Sequence, residues 1–457
     1  HDLGDASEDL AAMAEALADA RAETARPSLI LVRSHIGYGS PNKQDTSAAH
    51  GAPLGEDEVR LTKEAYGWPA DEKFFVPERV RVHMREIVDR GIRLEAEWEE
   101  RLESYRERYP LEAAELEQVL DGRLAPGWDA ELPGFVTGDG PIATRSVSGM
   151  ALNALAGSVT TLMGGSADLA GSNSTRIKAS GDVRAGEWAH RNVNWGIREH
   201  AMCAACSGMA LHGGIRPFAA TFLVFTDYAR PAIRLAALMR QPVIYLMTHD
   251  SIGLGEDGPT HQPVDQLAAL RAIPGLRVIR PADANETVEA WREAVRTTDR
   301  PTLLALSRQK LPVIALDDEP GSATGLARGA YILADAEDGR PDVILIATGS
   351  EVSLGLEARS TLAERGVKAR VVSMPSWELF REQDETYRHE VLPPENPRRI
   401  SVEAGCTQGW CEWIGDRGVA IGIDTFGASA PAEELFARFG FTVDAIVEQA
   451  EIMMKER

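Results

Sequence analysis

The chain has 457 residues, of which 44% are hydrophobic and 26% are charged. This composition excludes an intrinsically disordered protein, and the length predicts two or three globular domains. Aspartate and glutamate number 70 against 48 lysines and arginines, which gives a formal net charge of −22. This charge argues against nucleic acid or an anionic membrane as a general partner. An anionic substrate would therefore require a local cluster of basic side chains.

Neither membrane insertion nor secretion is predicted. No apolar run approaches the ~20 residues that span a bilayer, and no signal-peptide pattern opens the chain at His1. Cys203 and Cys206 form a C-x-x-C pair inside a predicted helix, far from Cys406 and Cys411. A zinc or redox site is one interpretation of this pair. Because there is no second closely spaced pair, we favour buried, reduced thiols in a cytoplasmic protein.

The first 141 residues are predicted to contain too few strands for a complete domain. Helical periodicity from Asp2 to Arg26 leads into an apolar run at 27–32, which we predict to be a buried strand followed by a long polar loop. We interpret residues 1–76 as the end of a domain whose larger part is absent. Residues 77–141 contain a Glu-, Arg- and Leu-rich stretch without strand signals, and we predict a helical connector there.

The rest of the sequence alternates apolar strands with helices, the pattern of an α/β fold with parallel sheets flanked by helices. We predict one such domain at 142–315 and a second at 325–457. The clearest predicted strands are 161–165, 242–247, 342–347, 369–373 and 400–402. A helix is predicted from Glu199 to Leu211. Thr348–Glu351 is predicted to be a strand-to-helix turn that either caps its helix or cradles an anion.

One loop concentrates polar residues directly after the strand predicted at 242–247. The segment Thr248–Pro263 contains two histidines, three carboxylates and three glycines. Glycines let a backbone turn sharply and approach a ligand closely. Ligands of open parallel sheets bind beyond the carboxyl ends of the strands. An ordinary solvated loop is the alternative interpretation, but the two imidazoles beside an acid pair favour a functional site.

From His249 to Pro263 this loop resembles the signature loop of transketolases, thiamine-diphosphate enzymes that move two-carbon ketol units between sugar phosphates. Further stretches with the same resemblance are Ser34–Lys43, His50–Gly55, Ala143–Ser146, Ala167–Asn173, Asn194–Ala201 and Leu306–Gln309. The resemblance extends from His1 to Arg457. It implies a pyrimidine-binding domain at 142–315, a transketolase-type C-terminal domain at 325–457, and a remnant of the diphosphate-binding domain at 1–76.

The resemblance also implies a cofactor site. Glu199 would be the catalytic acid that hydrogen-bonds a ring nitrogen of the cofactor's aminopyrimidine. Asp168 carries over as a polar contact to the cofactor. Phe222, Phe225 and Tyr228 carry over as the pocket in which the pyrimidine stacks. Their i, i+3, i+6 spacing by itself predicts one buried side of a helix, and the two interpretations are compatible.

Substrate recognition is implied residue by residue. The residues implied to bind the substrate phosphate are Arg145, Ser172, His249 and Arg308. Spacing alone cannot join them into one site. Gly171 stands where the family usually has proline, which could loosen the loop that holds Ser172. His261 would contact the donor ketose, Asp257 would bind an acceptor hydroxyl, and His50 would face the substrate. His261 and His50 are expected to take part in catalysis.

The function implied is the transfer of a glycolaldehyde unit from a ketose phosphate to an aldose phosphate, as in the pentose phosphate pathway or Calvin-type sugar interconversion. A homodimer with thiamine diphosphate and magnesium or calcium is expected. Gly138–Gly140 matches the G-D-G of thiamine enzymes, but it lies in the connector without a preceding strand. We therefore expect the metal-diphosphate ligands in a missing N-terminal part. Alone, the chain is expected to bind neither cofactor nor metal and to be inactive.

Other functions stay open from the sequence. Dihydroxyacetone synthase and deoxyxylulose-phosphate synthase are related enzymes, and the combination of His249, Asp257 and His261 favours a transketolase over the latter. A non-catalytic half that needs a partner chain belongs to a different class. The complete set of acid, aromatic and phosphate-binding residues argues against a decayed site. It does not argue against a subunit of a larger enzyme.

Overall fold

The computed structural model describes residues 1–314 and 320–455. The chain forms two compact units, one ending at Arg108 and the other beginning at Tyr109. The domain boundary predicted at residue 315 and the last two residues lie outside the described part. No helix within that part combines the length and the hydropathy that crossing a bilayer requires.

The first unit is helical. Its helices are α1 Leu10–Ala22, α2 Glu56–Ala65 and α3 Glu78–Arg108. Asp9 caps α1, because its carboxylate accepts the amide protons of Ala11 and Ala12. The helical stretch predicted between residues 77 and 124 is confirmed by α3 and by the first helix of the second unit. Leu102 is the buried residue of α3, as expected of a solvated helix.

The buried strand predicted at 27–32 is wrong. Leu31 forms only an isolated bridge to Asp2, and the side chains of Leu29 and Leu31 are exposed. The amide of Leu31 donates to the carbonyl of His1. Within the described residues, the segment bonds only to residues 1–3, so no sheet layer lies against its apolar side chains.

The first sheet of the second unit is entirely parallel. Its strands are β1 Leu162–Ser166, β2 Arg216–Phe222, β3 Ile244–Thr248, β4 Arg277–Ile279 and β5 Thr302–Leu306, in the spatial order β1-β2-β3-β5-β4. The helices up to the end of this region are α4 Pro110–Leu120, α5 Thr144–Ser158, α6 Ala170–Asn173, α7 Glu199–His212, α8 Thr226–Leu238, α9 Gln266–Arg271 and α10 Ala284–Arg296.

Both faces of this sheet are covered. Leu152 of α5 and Trp291 of α10 belong to the apolar cluster on one face. Met202 of α7 and Ile233 of α8 belong to the cluster on the other. Strands buried on both faces show continuous apolar runs, which is why β1 and β3 were recognisable in the sequence. The predicted helix at Glu199 is confirmed, and it ends at Gly213, whose φ of +84° suits a glycine.

The second sheet is mixed. Its strands are β6 Tyr331–Ala334, β7 Val343–Ala347, β8 Ala369–Ser373, β9 Arg399–Val402 and β10 Val419–Ile421, in the order β10-β9-β7-β8-β6, with β6 antiparallel. The helices here are α11 Val352–Glu364, α12 Trp377–Arg381, α13 Glu385–Val391, α14 Cys411–Ile414, α15 Ala432–Arg438 and α16 Val443–Lys455. The predicted α/β class is confirmed for both sheets.

A buried ion network fastens the two sheets to each other. Arg280, directly after β4, is fully buried, and its Nε donates to Asp250 Oδ2 at 2.8 Å. Its Nη1 donates to the carboxylate of Glu351 and to the carbonyl of Thr348. Burial alone would lower the pKa of Arg280, but the two carboxylates outweigh burial and raise it. The guanidinium therefore stays charged in the core.

The same network excludes the anion cradle considered for Thr348–Glu351. A Cβ added to Gly349 would lie 2.6 Å from the Arg280 guanidinium, so the cation occupies the space at this turn. Beside it, Arg271 donates to both oxygens of the Glu403 carboxylate at 2.8 Å and stacks over Trp377. These charges are paired and hydrogen-bonded, which is the condition for burying them.

A buried carboxyl group makes a second link between the sheets. Glu286 on α10 is buried, and its Oε1 accepts the hydroxyls of Tyr331 on β6 and Ser373 on β8. Burial, with a contribution from Asp283, raises the pKa of Glu286 to about 7. In the unfolded chain, the pKa of a glutamate is about 4.5. Between these values the folded protein holds a proton that the unfolded chain has lost.

We predict that Arg280→Met destabilises the protein by about 3–5 kcal/mol, because it leaves two buried carboxylates without their cation. Urea denaturation followed by circular dichroism measures this. The matched control is Arg365→Met, which removes a half-exposed ion pair to Glu451 and should change the free energy of unfolding little, because solvent screens the pair. Equal effects of the two substitutions would show that the buried network is not a stabilising link.

We predict that the Glu286→Gln variant gains stability relative to the wild type when the pH is raised from 5 to 8. The contribution of Glu286 to wild-type stability should fall as the pH rises from about 4.5 to about 7, because the folded carboxyl must ionise in a buried site. The neutral amide removes a loss of up to roughly 3 kcal/mol. Urea denaturation at several pH values measures the difference, with the exposed Glu357→Gln as control. A constant difference between wild type and variant from pH 5 to pH 8 contradicts the assignment.

Candidate functional site

The predicted site residues of the second unit gather at the carboxyl ends of the first sheet. Asp168 follows β1, Phe222 ends β2, His249 follows β3 and Arg308 follows β5. These four strands are neighbours in the sheet, so residues far apart in sequence meet at one edge. This is the edge at which open parallel sheets bind ligands.

An aromatic cleft of about 480 Å³ lies at this edge. It is lined by Ala167, Asp168, Leu169, Ile197, Glu199, Phe222, Phe225, Tyr228 and His261. The Phe222 and Phe225 rings lie nearly parallel, with centroids 5.9 Å apart. His261 meets the Phe225 ring edge-on at 5.5 Å. An aromatic ring of a ligand could stack against the aromatic side chains that line this cleft.

The aromatic residues do not share one buried side of a helix, so that part of the prediction is wrong. Phe222 ends β2, Phe225 lies in the short 3-10 helix Leu223–Phe225, and Tyr228 is in the first turn of α8. Phe222 is buried, whereas the side chain of Tyr228 is 64% exposed. The chain changes from strand to helix within this segment, and the change turns all three rings toward the cleft.

Glu199 opens α7 and is 9% exposed at the wall of the cleft. Its carboxylate forms no hydrogen bond or ion pair with the described residues, unlike the buried Glu286, Glu351 and Glu403. Among the described residues, no buried and unpartnered side-chain oxygen belongs to Glu199, so its carboxylate oxygens reach the solvent of the cleft, and the start of a helix favours their negative charge only modestly. The free carboxyl is therefore available to a ligand in the cleft.

Asp168 lies exposed at the edge of the cleft, with a φ of +60°. His249 has a φ of +61°, also in the left-handed region. Such a backbone costs of order 1 kcal/mol or more in a residue other than glycine, and it persists only where its surroundings hold it. Asp168 lies two residues after β1 and lines the cleft, whereas His249 directly follows β3 and its ring lies against Phe222 of the cleft wall.

A chain of hydrogen bonds assigns the proton of the His249 ring. The Ala220 carbonyl can only accept, so the Ser166 hydroxyl donates to it, and Ser166 accepts from Asn173 Nδ2. The Asn173 Oδ1 then accepts the Thr248 hydroxyl at 2.7 Å. With its proton used, Thr248 Oγ1 must accept from His249 Nδ1 at 2.8 Å. The ring therefore carries its proton on Nδ1 and presents the Nε2 lone pair.

His249 is neutral in this site. It is 2% exposed and its ring lies 3.7 Å from the Phe222 ring. Burial, together with Arg145, Arg308 and His261, lowers the pKa of His249 to about 3. The contact of His249 Nε2 with Asp257 at 3.7 Å is consequently a polar contact and not an ion pair. The Nε2 lone pair instead lies 3.4 Å from Arg145 Nη1, which can donate to it.

The structure brings two arginines together beside His249. Arg145 Nη1 donates to the carbonyl of Ser172 at 2.8 Å, and Arg308 Nε lies 3.9 Å from Asp257. Burial and the charge of Arg308 lower the pKa of Arg145. With His249 neutral, two guanidinium groups face one carboxylate, a local net charge of +1 in a chain of −22. This is the basic cluster that an anionic substrate requires.

Ser172 contacts the arginine cluster through its backbone, and its predicted role at the substrate phosphate stays a prediction. It lies in the short α6, and the structure uses its backbone carbonyl to orient Arg145. Its neighbour Asn173 is buried and anchored to β1 and β3 through Ser166 and Thr248. These bonds hold the loop where Gly171 replaces the family's proline.

His50 belongs to the first unit. It follows the short turn Ser47–Ala49, and its side chain is exposed. Its amide donates to the carbonyl of Ser47 at 3.1 Å. Its predicted place at the substrate stays a prediction.

Sequence reasoning missed the support that the second sheet's domain gives to the loop at 248–263. The amide of Gly258 donates to Ser429 Oγ at 3.2 Å, next to Asp257. A Cβ added to Gly427 would lie 2.8 Å from Gln262. The small residues at 427–430 are the only sequence signal of this contact. Small residues indicate close packing, but they do not show which surface packs against them.

The other candidate sites give simpler results. Cys203 and Cys206 are free and fully buried, as predicted, and burial raises the pKa of Cys206 to about 12. The Asp139 carboxylate of the G-D-G stretch accepts the amide of Val136 and so closes its own turn. Within residues 1–314 and 320–455, no group of three or more His, Cys, Asp or Glu side chains could hold a metal ion.

Comparison with known proteins gives one consistent family. Residues 140–313 match the family model of the transketolase pyrimidine binding domain, and residues 329–442 match that of the transketolase-like C-terminal domain. Residues 2–125 match the model of the transketolase thiamine diphosphate binding domain.

Curated relatives agree with these matches. The transketolase of Geobacillus stearothermophilus is 51% identical over 443 residues, which is 97% of this chain and 66% of the relative. The chloroplastic transketolase of Craterostigma plantagineum is 48% identical over 95% of this chain and 83% of its own length. This chain thus spans about two thirds of the length of the bacterial relative.

Solved structures agree as well. Transketolase from Leishmania mexicana superposes with a TM-score of 0.92 at 41% identity, covering 100% of this chain and 66% of that chain. A structure described as a split gene transketolase, inactive beta4 tetramer, has a TM-score of 0.56 at 26% identity and covers 69% of this chain and 99% of that one.

The match at residues 2–125 corrects one expectation. It includes α3 and most of the segment that we assigned to a separate connector. It does not support the view that residues 1–76 are only a remnant of the diphosphate-binding domain, nor the inactivity inferred from that view. The three matched regions, the two α/β sheets and the identity to relatives agree in showing that the chain belongs to the transketolase family.

Proposed function

We propose that this protein is a transketolase, which transfers a two-carbon ketol unit from a ketose phosphate to an aldose phosphate with thiamine diphosphate. The observation that carries the proposal is the Glu199 carboxyl group. It is buried at the wall of an aromatic cleft and has no partner among the described residues. The pair Arg145 and Arg308 lies beside the same cleft, next to His249.

The residues of the cleft fit the pyrimidine end of thiamine diphosphate. Phe222, Phe225 and Tyr228 offer flat apolar contact to an aromatic ring, worth on the order of 1 kcal/mol per ring pair beyond area burial. Glu199 supplies a carboxyl group for a ring nitrogen, and Asp168 a polar contact at the rim. When bound, the cofactor supplies the nucleophilic thiazolium carbon that adds to a ketose carbonyl.

Magnesium or calcium is the proposed companion of the diphosphate, because these hard cations bind phosphate oxygens. Its site is proposed on chemistry alone, since the described residues contain no group of three metal-ligating side chains. The match of residues 2–125 to the diphosphate-binding domain supports a role of the first unit in this part of the site.

Glu199 holds a proton at the pyrimidine nitrogen, and the apolar rings exclude water from it. The two arginines bind the phosphate of the sugar. His249 accepts from Arg145 through Nε2, so in its neutral form it positions that arginine and does not itself donate to the phosphate. His261 lines the cleft and Asp257 lies near His249 and Arg308, and both are proposed to contact the sugar hydroxyls, with His50 as a further proposed contact.

Related reactions are less well supported. His249, Asp257 and His261 favour a transketolase over a deoxyxylulose-phosphate synthase. The relatives described as transketolases favour a transketolase over a dihydroxyacetone synthase.

A second candidate function is that of one subunit of a two-chain enzyme. It is favoured by the fold shared with the split gene transketolase, whose own structure is described as an inactive tetramer. A homodimer is our first proposal for the assembly. Ile197 and Tyr228 are apolar, exposed and at the mouth of the cleft, which supports their being covered by a second copy. The free cysteines support a cytoplasmic location.

We predict that Glu199→Gln abolishes most ketol transfer in the full chain supplied with thiamine diphosphate and magnesium, while cofactor affinity changes much less. The amide has the size of the acid but cannot hold and release the proton. Steady-state kinetics and exchange of the thiazolium proton measure this, with the exposed Glu187→Gln as control. Exchange of the thiazolium proton at the wild-type rate in the variant would contradict the assignment of Glu199 as the catalytic acid. A wild-type chain without activity would favour the two-chain alternative.

We predict that Arg308→Ala raises the KM for phosphorylated acceptors by about 10- to 150-fold, because a charge-assisted hydrogen bond is worth roughly 1.5–3 kcal/mol. Unphosphorylated acceptors should show little change, since they lack the group that the arginine binds. The control is Arg296→Ala, an exposed arginine on α10. Equal losses for both classes of acceptor would assign Arg308 a structural role.

A further inference from the structure

A second cleft lies at the opposite end of the first sheet. It has a volume of about 410 Å³ and is bordered by Arg216 at the start of β2 and by Gly214 after α7. Phe222 and Glu199 of the aromatic cleft lie at the other ends of β2 and α7. Seven strand residues or fourteen helix residues span roughly 20 Å. The second cleft is therefore separate from the candidate active site.

Arg216 is an unusual residue for this position. It is 8% exposed, and Nη1 donates to the carbonyl of Thr297 at 2.8 Å. Across the described residues, no carboxylate lies within ion-pair distance of its guanidinium. Arg271 and Arg280, which are also buried, each have a carboxylate partner. Burial without such a partner lowers the pKa of Arg216. A buried guanidinium without an anion is unfavourable, and it borders an open cleft.

Further donors border the same cleft. Thr161 and Thr298 contribute to its lining, and their hydroxyls form no hydrogen bond with the described residues. Arg123 also borders it and pairs through Nη2 with Asp121 at 2.7 Å, so the one carboxylate there is already offset. The remaining charge of the cleft is that of Arg216. Together, the two free hydroxyls and the guanidinium offer more hydrogen-bond donors than the two oxygens of a carboxylate ligand. A ligand with more acceptor oxygens therefore fits them better.

We infer that this cleft binds a phosphate group, free or as the monoester of a small metabolite, with Arg216 as its anchor. A phosphate has several acceptor oxygens and pairs with the fork of an arginine. It also supplies the anion that the buried guanidinium lacks. The apolar side chains of Leu120 and Ile215 in the lining can contact the organic part of an ester.

The experiment is calorimetric titration of the full chain with inorganic phosphate and, separately, with ribose 5-phosphate. It uses the Arg145→Ala/Arg308→Ala double variant, in which phosphate binding at the candidate active site is weakened. We expect one saturable class of binding in this variant. Adding Arg216→Gln should raise its Kd at least tenfold, whereas adding Arg123→Gln should change it threefold or less, because Arg123 is already paired.

The two ligands identify the source of the phosphate. An ester that binds at least tenfold more tightly assigns the cleft to a metabolite, and equal affinities assign it to inorganic phosphate. Absence of saturable binding at millimolar concentrations, or an unchanged Kd in the Arg216→Gln variant, overturns the inference. If that variant does not fold, wild-type crystals soaked in tungstate decide. An anomalous peak beside Arg216 supports the site, and none at saturation overturns it.

Discussion

The buried ion network around Arg280 is the constraint on which the site depends. Arg280 joins Asp250, one residue after His249, to Glu351 at the start of α11 in the other sheet's domain. A buried cation tolerates no large displacement of its carboxylates, because each unpaired charge costs several kcal/mol. The loop that leaves β3 is thereby held at its first residues, and the strained backbone of His249 is kept in place.

The electrostatics of the site follow from that placement. With the loop held, the hydrogen-bond chain from Ala220 to Thr248 leaves one possible proton position on His249, and burial keeps the ring neutral. A neutral ring adds no third positive charge beside Arg145 and Arg308, each of which would repel a charged His249. The two arginines can therefore lie in one cluster that attracts a phosphate, although the chain as a whole is strongly acidic.

The first sheet carries binding chemistry at both of its ends. β2 runs from the unpaired Arg216 to Phe222, and α7 runs back from Glu199 toward Gly214. Glu286 links the same sheet to the second one through hydroxyls of Tyr331 and Ser373. Buried polar groups thus have two roles in this fold. Paired groups fasten the sheets, and the unpaired Glu199 and Arg216 mark surfaces open to ligands.

The sequence by itself determined the α/β class, five of the ten described strands, the helix at Glu199 and the candidate residues named by motif, because continuous apolar runs and short motifs are local properties. It misjudged residues 27–32, since a strand is decided by a neighbour to pair with. Only the tertiary structure joined Arg145 to His249, 104 positions away, and Arg280 to Glu351, 71 positions away. Such contacts depend on which strands lie side by side, and neither spacing nor composition records that order.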